Sequence, residues 1–377
     1  MVTSSNRVLL LYTSAGGGHR AAAAAVAESL RAFDPGADVE VRDVLEFAPR
    51  WFKYDRAWSL IQTGSRRGWD WVFDQTDRDG AGAIDGLRLP IHRALFRDLN
   101  EFLVATPFTH IVTTHYLPAI SVARLRRNGM LAARAITTVT DHITHRAWVT
   151  PGIDGYCVAD PAVARAMIRR APGVPVQVTG IPISRATAAP VRPVAARLDV
   201  PGALVLLGGV EEGDAIATID SLAPMIRGGR LRARILCGGS SRVLSAARRR
   251  LAGSGAEVAD KLPGLLAAVD EADVVVTKAG GLVTSECLAR GRPLVLPYAA
   301  PGQERGNLFY ALDCGAAARP NEIADTGALI ANLASEPGRL RRMGESARSA
   351  SRPHAADDVV RFLLSSAATT TTVSLAA

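Results

Sequence analysis

Two glycine-rich stretches carry the residues of this 377-residue chain that are spaced for chemistry. The first is SAGGGHRAAAAAV, residues 14–26. Gly16, Gly18 and Ala21 satisfy the pattern G-x-G-x-x-A. Glycines let a backbone approach an anion, and the helix start that follows supplies free N–H groups and a partial positive charge. A tight strand-to-helix turn calls for the same glycines, so the stretch alone leaves a phosphate cradle and a plain connection both open. His19 stands at the helix start, where the dipole disfavours an imidazolium. A neutral imidazole there is suited to take a proton from a hydroxyl nucleophile, with a capping or packing histidine as the alternative. Asp43, at the end of the next strand-like run, holds the place of the ribose-binding acid of a dinucleotide binder. An NAD-dependent oxidoreductase using Gly16–Ala21 as its fingerprint is therefore a competing reading.

The second stretch is TKAGGLVTSECLARGRPLVLPYAAPGQERGN, residues 277–307. Gly280 and Gly281 follow a strand-like run and open a helix, a second helix N-terminus suited to an anion. Glu286 lies one to two turns along, where a carboxylate can accept both hydroxyls of a ribose. Gln303, Glu304 and Asn307 follow the next strand-like run and are bidentate polar groups suited to sugar hydroxyls. Two anion-binding loops plus hydroxyl-binding side chains fit a nucleotide-sugar site in a cleft between two domains. A single dinucleotide-binding domain has no need of the second set.

The elements that must position these residues read as an α/β chain. Strands are predicted at 8–13, 38–44, 110–115, 135–141 and 155–160, and again at 203–209, 232–239, 273–281 and 292–298. Short apolar runs alternating with helix-like segments indicate parallel sheets with crossover helices. Proline-dense, weakly periodic sequence at 186–202 predicts a linker. The expected organisation is an N-terminal acceptor- and membrane-binding domain over 1–185, the linker, and a C-terminal nucleotide-sugar domain over 203–348. A helix in 349–365 is expected to pack back towards the first domain. The low-complexity 366–377 is expected to be disordered.

Composition narrows the class. No apolar run reaches the roughly 18 residues of a membrane span, and the first 18 residues lack the pattern of a signal peptide. The 4 Cys form no C-x-x-C pair, which fits a reducing, cytoplasmic setting. Net charge is +8, and all but three of the 44 cations are Arg, the exceptions being Lys53, Lys261 and Lys278. This favours phosphate-bearing partners or reflects base composition, yet no nucleic-acid motif accompanies it. Residues 51–75 hold Trp51, Trp58, Trp69 and Trp71 with Lys53, Arg56, Arg66 and Arg67 among them. Such interleaving suits contact with an anionic membrane surface, core packing being the alternative. Asp77-Arg78-Asp79 and the histidines 110, 115, 142 and 145 lack the context of metal sites.

Four stretches together carry a resemblance: GGGHRAAAAAV (16–26), TDHITHRAWVTPGIDGYCVAD (140–160), TGIPIS (179–184) and KAGGLVTSECLARGRPLVLPYAAPGQERGN (278–307). The chain resembles the GT-B glycosyltransferases that make glycosyldiacylglycerols, the monogalactosyldiacylglycerol synthases and processive diacylglycerol glucosyltransferases. The resemblance implies two facing Rossmann-like, doubly wound domains with the site in the cleft between them. It implies transfer of a hexose from a UDP-hexose to a membrane lipid, most naturally diacylglycerol, by a protein peripheral to the cytoplasmic face of the membrane and without metal or other cofactor. Carried over, it places Gly280, Gly281 and Leu282 on the diphosphate with help from Gly17 and Gly18, Glu286 on the ribose, and Gln303 and Glu304 on the sugar with Asn307 nearby. His19 would face the acceptor hydroxyl. Asp141, His145 and Trp148 fall in the family's T-D-x3-H-x2-W pattern on the acceptor side. Plant members carry an acid five residues before the histidine; here Ser14 stands there, so His19 or Asp141 must serve as base or orient it. A non-catalytic UDP-sugar-binding membrane protein is the third reading.

Overall fold

A computed structural model of the protein describes residues 6–14, 17–49, 51–52, 75–77, 90–195, 199–300 and 302–365. Gly16, Trp58, Trp69 and Trp71 lie outside them. The chain divides into two compact units, Met1–Arg185 with Pro301–Gln303 and His354–Ala377, and Ala186–Ala300 with Glu304–Pro353.

The first unit is built on a parallel sheet in the order β2-β1-β3-β4-β5-β6. Its strands are β1 (Arg7–Tyr12), β2 (Asp38–Asp43), β3 (His110–Thr113), β4 (Arg134–Thr138), β5 (Gly155–Val158) and β6 (Val176–Val178). Consecutive apolar residues of β1 point to opposite faces, as the pleat requires. Leu9 and Leu11 join Ile111, Leu99, Leu103 and Leu125 on one side. Val8 and Leu10 join Val26 and Leu30 of the helix Gly17–Phe33 and Val359, Val360 and Leu363 of the helix Ala355–Leu364 on the other. That last helix completes the layer over β1, β4 and β5. The buried Ser29 hydroxyl donates to Asp357 at 2.5 Å, and a Cβ on Gly155 would meet the Phe362 ring at 2.6 Å.

The second unit repeats the plan in the order β12-β11-β10-β7-β8-β9. Its strands are β7 (Gly202–Leu206), β8 (Arg232–Leu236), β9 (Glu257–Ala259), β10 (Val274–Lys278), β11 (Leu294–Tyr298) and β12 (Ala317–Ala318). Val205, Ile235, Val274, Val276 and Val295 face one helical layer, and Leu204, Leu236, Val275, Leu294 and Leu296 the other. The turns after β7 and β8 touch so closely that a Cβ on Gly238 would lie 2.2 Å from the Gly208 Cα. With φ at +68° as well, glycine is the residue that fits there.

The strand ends differ from the sequence reading in a consistent direction. β3, β4, β5, β7, β8 and β10 stop two or three residues earlier, because the polar or glycine residues after them turn into the C-terminal loops. Part of the proline-rich 186–202 is packed rather than free. The buried Arg290 guanidinium, held by Asp270 at 2.6 and 2.7 Å, donates to the Thr187 and Ala189 carbonyls. Arg292 donates to the Arg192 carbonyl and Val194 is 4% exposed, so this segment is tied to the second unit.

In open parallel sheets, ligands bind beyond the carboxyl ends of the strands at the point where strand order reverses. In the first sheet that point lies between β1 and β3, and in the second between β7 and β10. The loops leaving β1 and β10 are the two glycine-rich stretches.

Candidate functional site

In the first unit the helix Gly17–Phe33 starts directly after β1, which makes His19 its third residue. The His19 Nδ1 is 2.8 Å from the Thr114 carbonyl oxygen and 3.0 Å from the Thr140 hydroxyl, while the Thr114 hydroxyl donates to the His19 carbonyl at 2.9 Å. Thr114 follows β3 and Thr140 follows β4, so the sheet's register brings three loops onto one imidazole. Burial pushes the His19 pKa below the usual histidine value, opposed by the nearby Asp141 charge and by the bond to Thr114. The ring packs edge-on against His115, centroids 4.6 Å apart, with Trp148 at 6.4 Å. The structure thus brings together His19 and Asp141, the latter 6% exposed.

His145 and Trp148 sit on the turn after Asp141 and take different parts. Trp148 is 5% exposed and packs against His115 and Tyr116; a buried ring cannot touch a membrane, so it backs the His19 cluster instead. His145 caps its own turn, its Nδ1 accepting from the Ala147 N–H at 3.0 Å, with Nε2 3.2 Å from the Thr76 hydroxyl. Beside it the Asp77 carboxylate accepts from Arg170 at 2.5 and 2.7 Å and from the Arg146 N–H. The aspartate of the D-x-D sequence is therefore a structural strap. The other histidines also have partners: His142 Nδ1 meets Asp160 at 2.8 Å, His110 Nδ1 meets the Thr109 hydroxyl, and His115 accepts from the Leu117 N–H. Among the described residues no group of three or more His, Cys, Asp or Glu is placed to hold a metal ion. Trp51 is 74% exposed, while its neighbour Phe52 is seated edge-on against Phe96 of the core.

Gly17 has open space where a side chain would stand, and Gly18 follows it in the first turn of the helix. Asp43, the ribose acid of the oxidoreductase reading, is 8% exposed and turned inward. Its Oδ1 accepts from the Ser14 and Leu45 N–H groups at 3.3 and 3.0 Å. One carboxylate oxygen is taken by two backbone N–H groups in a buried position, which weakens the residue that made that reading competitive.

In the second unit, the helix Gly281–Ala289 begins at the end of β10 with Gly280 as its cap and Leu282 in its first turn. Glu286 lies on that helix, and burial pushes its carboxyl up to about 7. At the strand end Lys278 forms an ion pair with Glu304, whose other oxygen accepts from the Ala300 N–H at 2.7 Å. The Lys278 side chain runs past both glycine turns, 3.4 Å from a Cβ on Gly209 and 3.8 Å from one on Gly280. Sequence reasoning left Lys278 without a role. The signal available was its type, one Lys where 41 of 44 cations are Arg. Asn307 is fully buried and its amide donates to the Ala279 carbonyl at 3.0 Å, so it braces the glycine turn from behind. Gln303, which is grouped with the first unit, opens the helix Gln303–Asp313 and is half-buried. Glu304 is 5% exposed and already doubly engaged.

Residues 19–183 match the family model for monogalactosyldiacylglycerol (MGDG) synthase. Monogalactosyldiacylglycerol synthase 3 of Arabidopsis thaliana is 27% identical over 244 residues, 60% of this chain and 52% of that protein. The processive diacylglycerol beta-glucosyltransferase of Bacillus subtilis is 27% identical over 237 residues, 60% of this chain and 61% of that protein. The match thus spans a little over half the length of these relatives. Among solved structures, MurG of Acinetobacter baumannii superimposes with a TM-score of 0.64 at 18% identity, covering 95% of this chain and 99% of that one. A UDP-glucosyltransferase from Polygonum tinctorium gives 0.62 at 13% identity, covering 97% and 100%. The NAD-dependent reading finds no support in this set. The fold is GT-B, and the chain is similar in sequence to the monogalactosyldiacylglycerol synthases and the processive diacylglycerol glucosyltransferases.

Proposed function

We propose that the protein transfers a hexose from a UDP-sugar to a hydroxyl of a membrane lipid, diacylglycerol being the acceptor class. The observation that carries this reading is a pair of sites in a chain similar to these enzymes. A buried histidine whose pKa burial lowers stands at the switch point of the first sheet, and a glycine turn followed by a helix carrying the carboxylate Glu286 stands at that of the second.

The first unit supplies the acceptor half. His19 takes the proton of the lipid hydroxyl as its oxygen attacks the anomeric carbon, with Asp141 beside it supporting the imidazolium that forms. As the new C–O bond forms, the bond from the anomeric carbon to the β-phosphate oxygen breaks, and its electron pair leaves with UDP. The second unit supplies the donor half. Gly280, Gly281 and Leu282 offer N–H groups to the diphosphate, and Lys278 adds positive charge where negative charge builds up. Glu286 accepts from the ribose hydroxyls. Gln303 addresses the sugar, and Glu304 contributes there while fixing Lys278; Asn307 acts by bracing the turn. His145 borders the acceptor side. Trp51 and the neighbouring Trp58, Trp69 and Trp71 supply contact with an anionic lipid surface, which fits peripheral association: no described helix is long and apolar enough to cross a membrane.

A melting experiment separates the nucleotide classes. UDP at about 100 times its Kd is expected to stabilise the chain by about 2.7 kcal/mol, whereas NAD leaves the melt unchanged. Stabilisation by NAD and none by UDP would overturn the proposal.

A further inference from the structure

We propose that Thr114 is a positioning residue for His19, a two-point clamp that holds the imidazole in the Nδ1–H form and leaves Nε2 as the proton-accepting atom. The inference rests on the reading of His19 as the base, and it assigns the atom and the device that orients it.

One acceptor that cannot donate fixes the tautomer. The Thr114 carbonyl oxygen is 2.8 Å from His19 Nδ1. A carbonyl has lone pairs only, so a contact this short requires the hydrogen on Nδ1. The Thr140 hydroxyl, 3.0 Å from the same nitrogen, is compatible with either tautomer, because a hydroxyl donates or accepts as needed. The carbonyl therefore decides, and Thr140 shares the N–H as a second acceptor. A neutral imidazole has a single N–H, so Nε2 keeps its lone pair. The second point of the clamp is the Thr114 hydroxyl, which donates to the His19 carbonyl at 2.9 Å. Main chain and ring of the histidine are thus tied to one residue.

The fold makes this attachment rigid. β1 and β3 are adjacent parallel strands with Leu11 opposite Thr113, and the Thr114 N–H donates to the Leu11 carbonyl at 3.0 Å. Thr114 is 0% exposed. It stands beside the last residues of β1, the strand that precedes the histidine's helix. The charged and titratable neighbours on each packed element are accounted for: Asp141 on the loop after β4, His115 at the start of the helix Tyr116–Arg127 with Tyr116 stacked on it, and Arg20 next along the chain. In the catalytic triads of hydrolases a carboxylate orients the histidine. Here Ser14 stands where plant relatives keep an acid, and a backbone carbonyl does the orienting.

The test uses the whole chain with ¹⁵N-labelled histidine. In the neutral range His19 is expected to show a protonated Nδ1 and an unprotonated Nε2. Thr114→Val removes the hydroxyl that ties the His19 main chain and leaves the carbonyl on Nδ1, so the Nδ1–H tautomer should be kept while kcat falls roughly tenfold or more, part of the ~10²–10⁴ that a positioned base contributes. The UDP Kd should stay within about twofold, and the acidic limb of the kcat profile should stay in place, since the carbonyl bond that favours the protonated ring is retained. Thr114→Ser, which keeps the hydroxyl, should restore kcat. Thr140→Val, which leaves the carbonyl in place, should keep the tautomer. A wild-type His19 protonated on Nε2, a tautomer that flips in Thr140→Val, or a Thr114→Val protein with unchanged kcat would each overturn the clamp. If Thr114→Val does not fold, the wild-type and Thr140→Val spectra decide. If the wild type forms no glycolipid while its His19 shows the expected tautomer, the base assignment fails and the clamp stands.

Discussion

His19→Ala is expected to lower turnover by ~10²–10⁴-fold while leaving the UDP Kd within about twofold. The split follows from where the side chain stands. The imidazole is in the first unit, held by Thr114 and Thr140 on loops of that unit, and the groups proposed for the diphosphate and ribose are in the second. Removing the ring removes the proton acceptor for the lipid hydroxyl and touches no ribose or β-phosphate ligand. The pH profile carries a second signature. Burial holds the His19 pKa below the usual histidine value, so the neutral, proton-accepting form persists to lower pH than a free histidine would allow. The acidic limb of kcat is expected below the ordinary histidine pKa of about 6.5. Turnover close to wild type in His19→Ala would move the base to Asp141.

Glu286→Gln is expected to weaken UDP binding by about 1.5–3 kcal/mol, roughly 10- to 150-fold. A carboxylate accepts charge-assisted hydrogen bonds from both ribose hydroxyls, and an amide cannot replace both. Burial raises this carboxyl to about 7, which gives the effect a pH dependence of fixed sign. The ribose-bound form is the deprotonated one, so binding releases a proton below about pH 7. UDP affinity should therefore rise as pH rises through 7 and level off above, and Glu286→Gln should flatten that rise. The same burial acts on stability in the opposite sense. A carboxyl whose folded pKa lies above its unfolded value costs stability as pH rises from the unfolded pKa through the folded one. The unliganded Gln variant should then melt higher than wild type at pH 8 and equally at pH 4. Weaker binding together with a higher melt marks a residue kept for ligand recognition, and a variant with wild-type UDP affinity would reject the ribose assignment.

Much of this arrangement was legible in the residues themselves. The apolar runs of β1, β3, β5, β7, β10 and β11, some only two or three residues long, carry their own signal, and a glycine turn after a strand marks the end of the sheet at which ligands sit. β6, β9 and β12 were not legible, because segments such as VQV, EVA and AA are too short for a period to show. Through-space partners were hidden for another reason. Thr114 and Thr140 lie 95 and 121 residues from His19 along the chain, and only the strand order 2-1-3-4 places them together. Asp43 shows the limit of positional reasoning. It stands at the end of β2, where a ribose acid belongs, yet its oxygen is satisfied by two backbone N–H groups. By type, Glu304 and Asn307 suit sugar hydroxyls. Their type also suits the work the structure gives them, holding Lys278 and the Ala279 carbonyl.

The measurement that tests the central claim most directly is product formation. The full chain is incubated with vesicles containing diacylglycerol and anionic lipid and a panel of radiolabelled UDP-hexoses, and the lipid phase is analysed by mass spectrometry. The account predicts a hexosyl lipid whose mass exceeds that of its acceptor by one or more hexose residues, formed by the wild type and reduced at least a hundredfold in His19→Ala. UDP binding with no labelled lipid from any donor would contradict it and leave a non-catalytic UDP-sugar-binding protein as the reading.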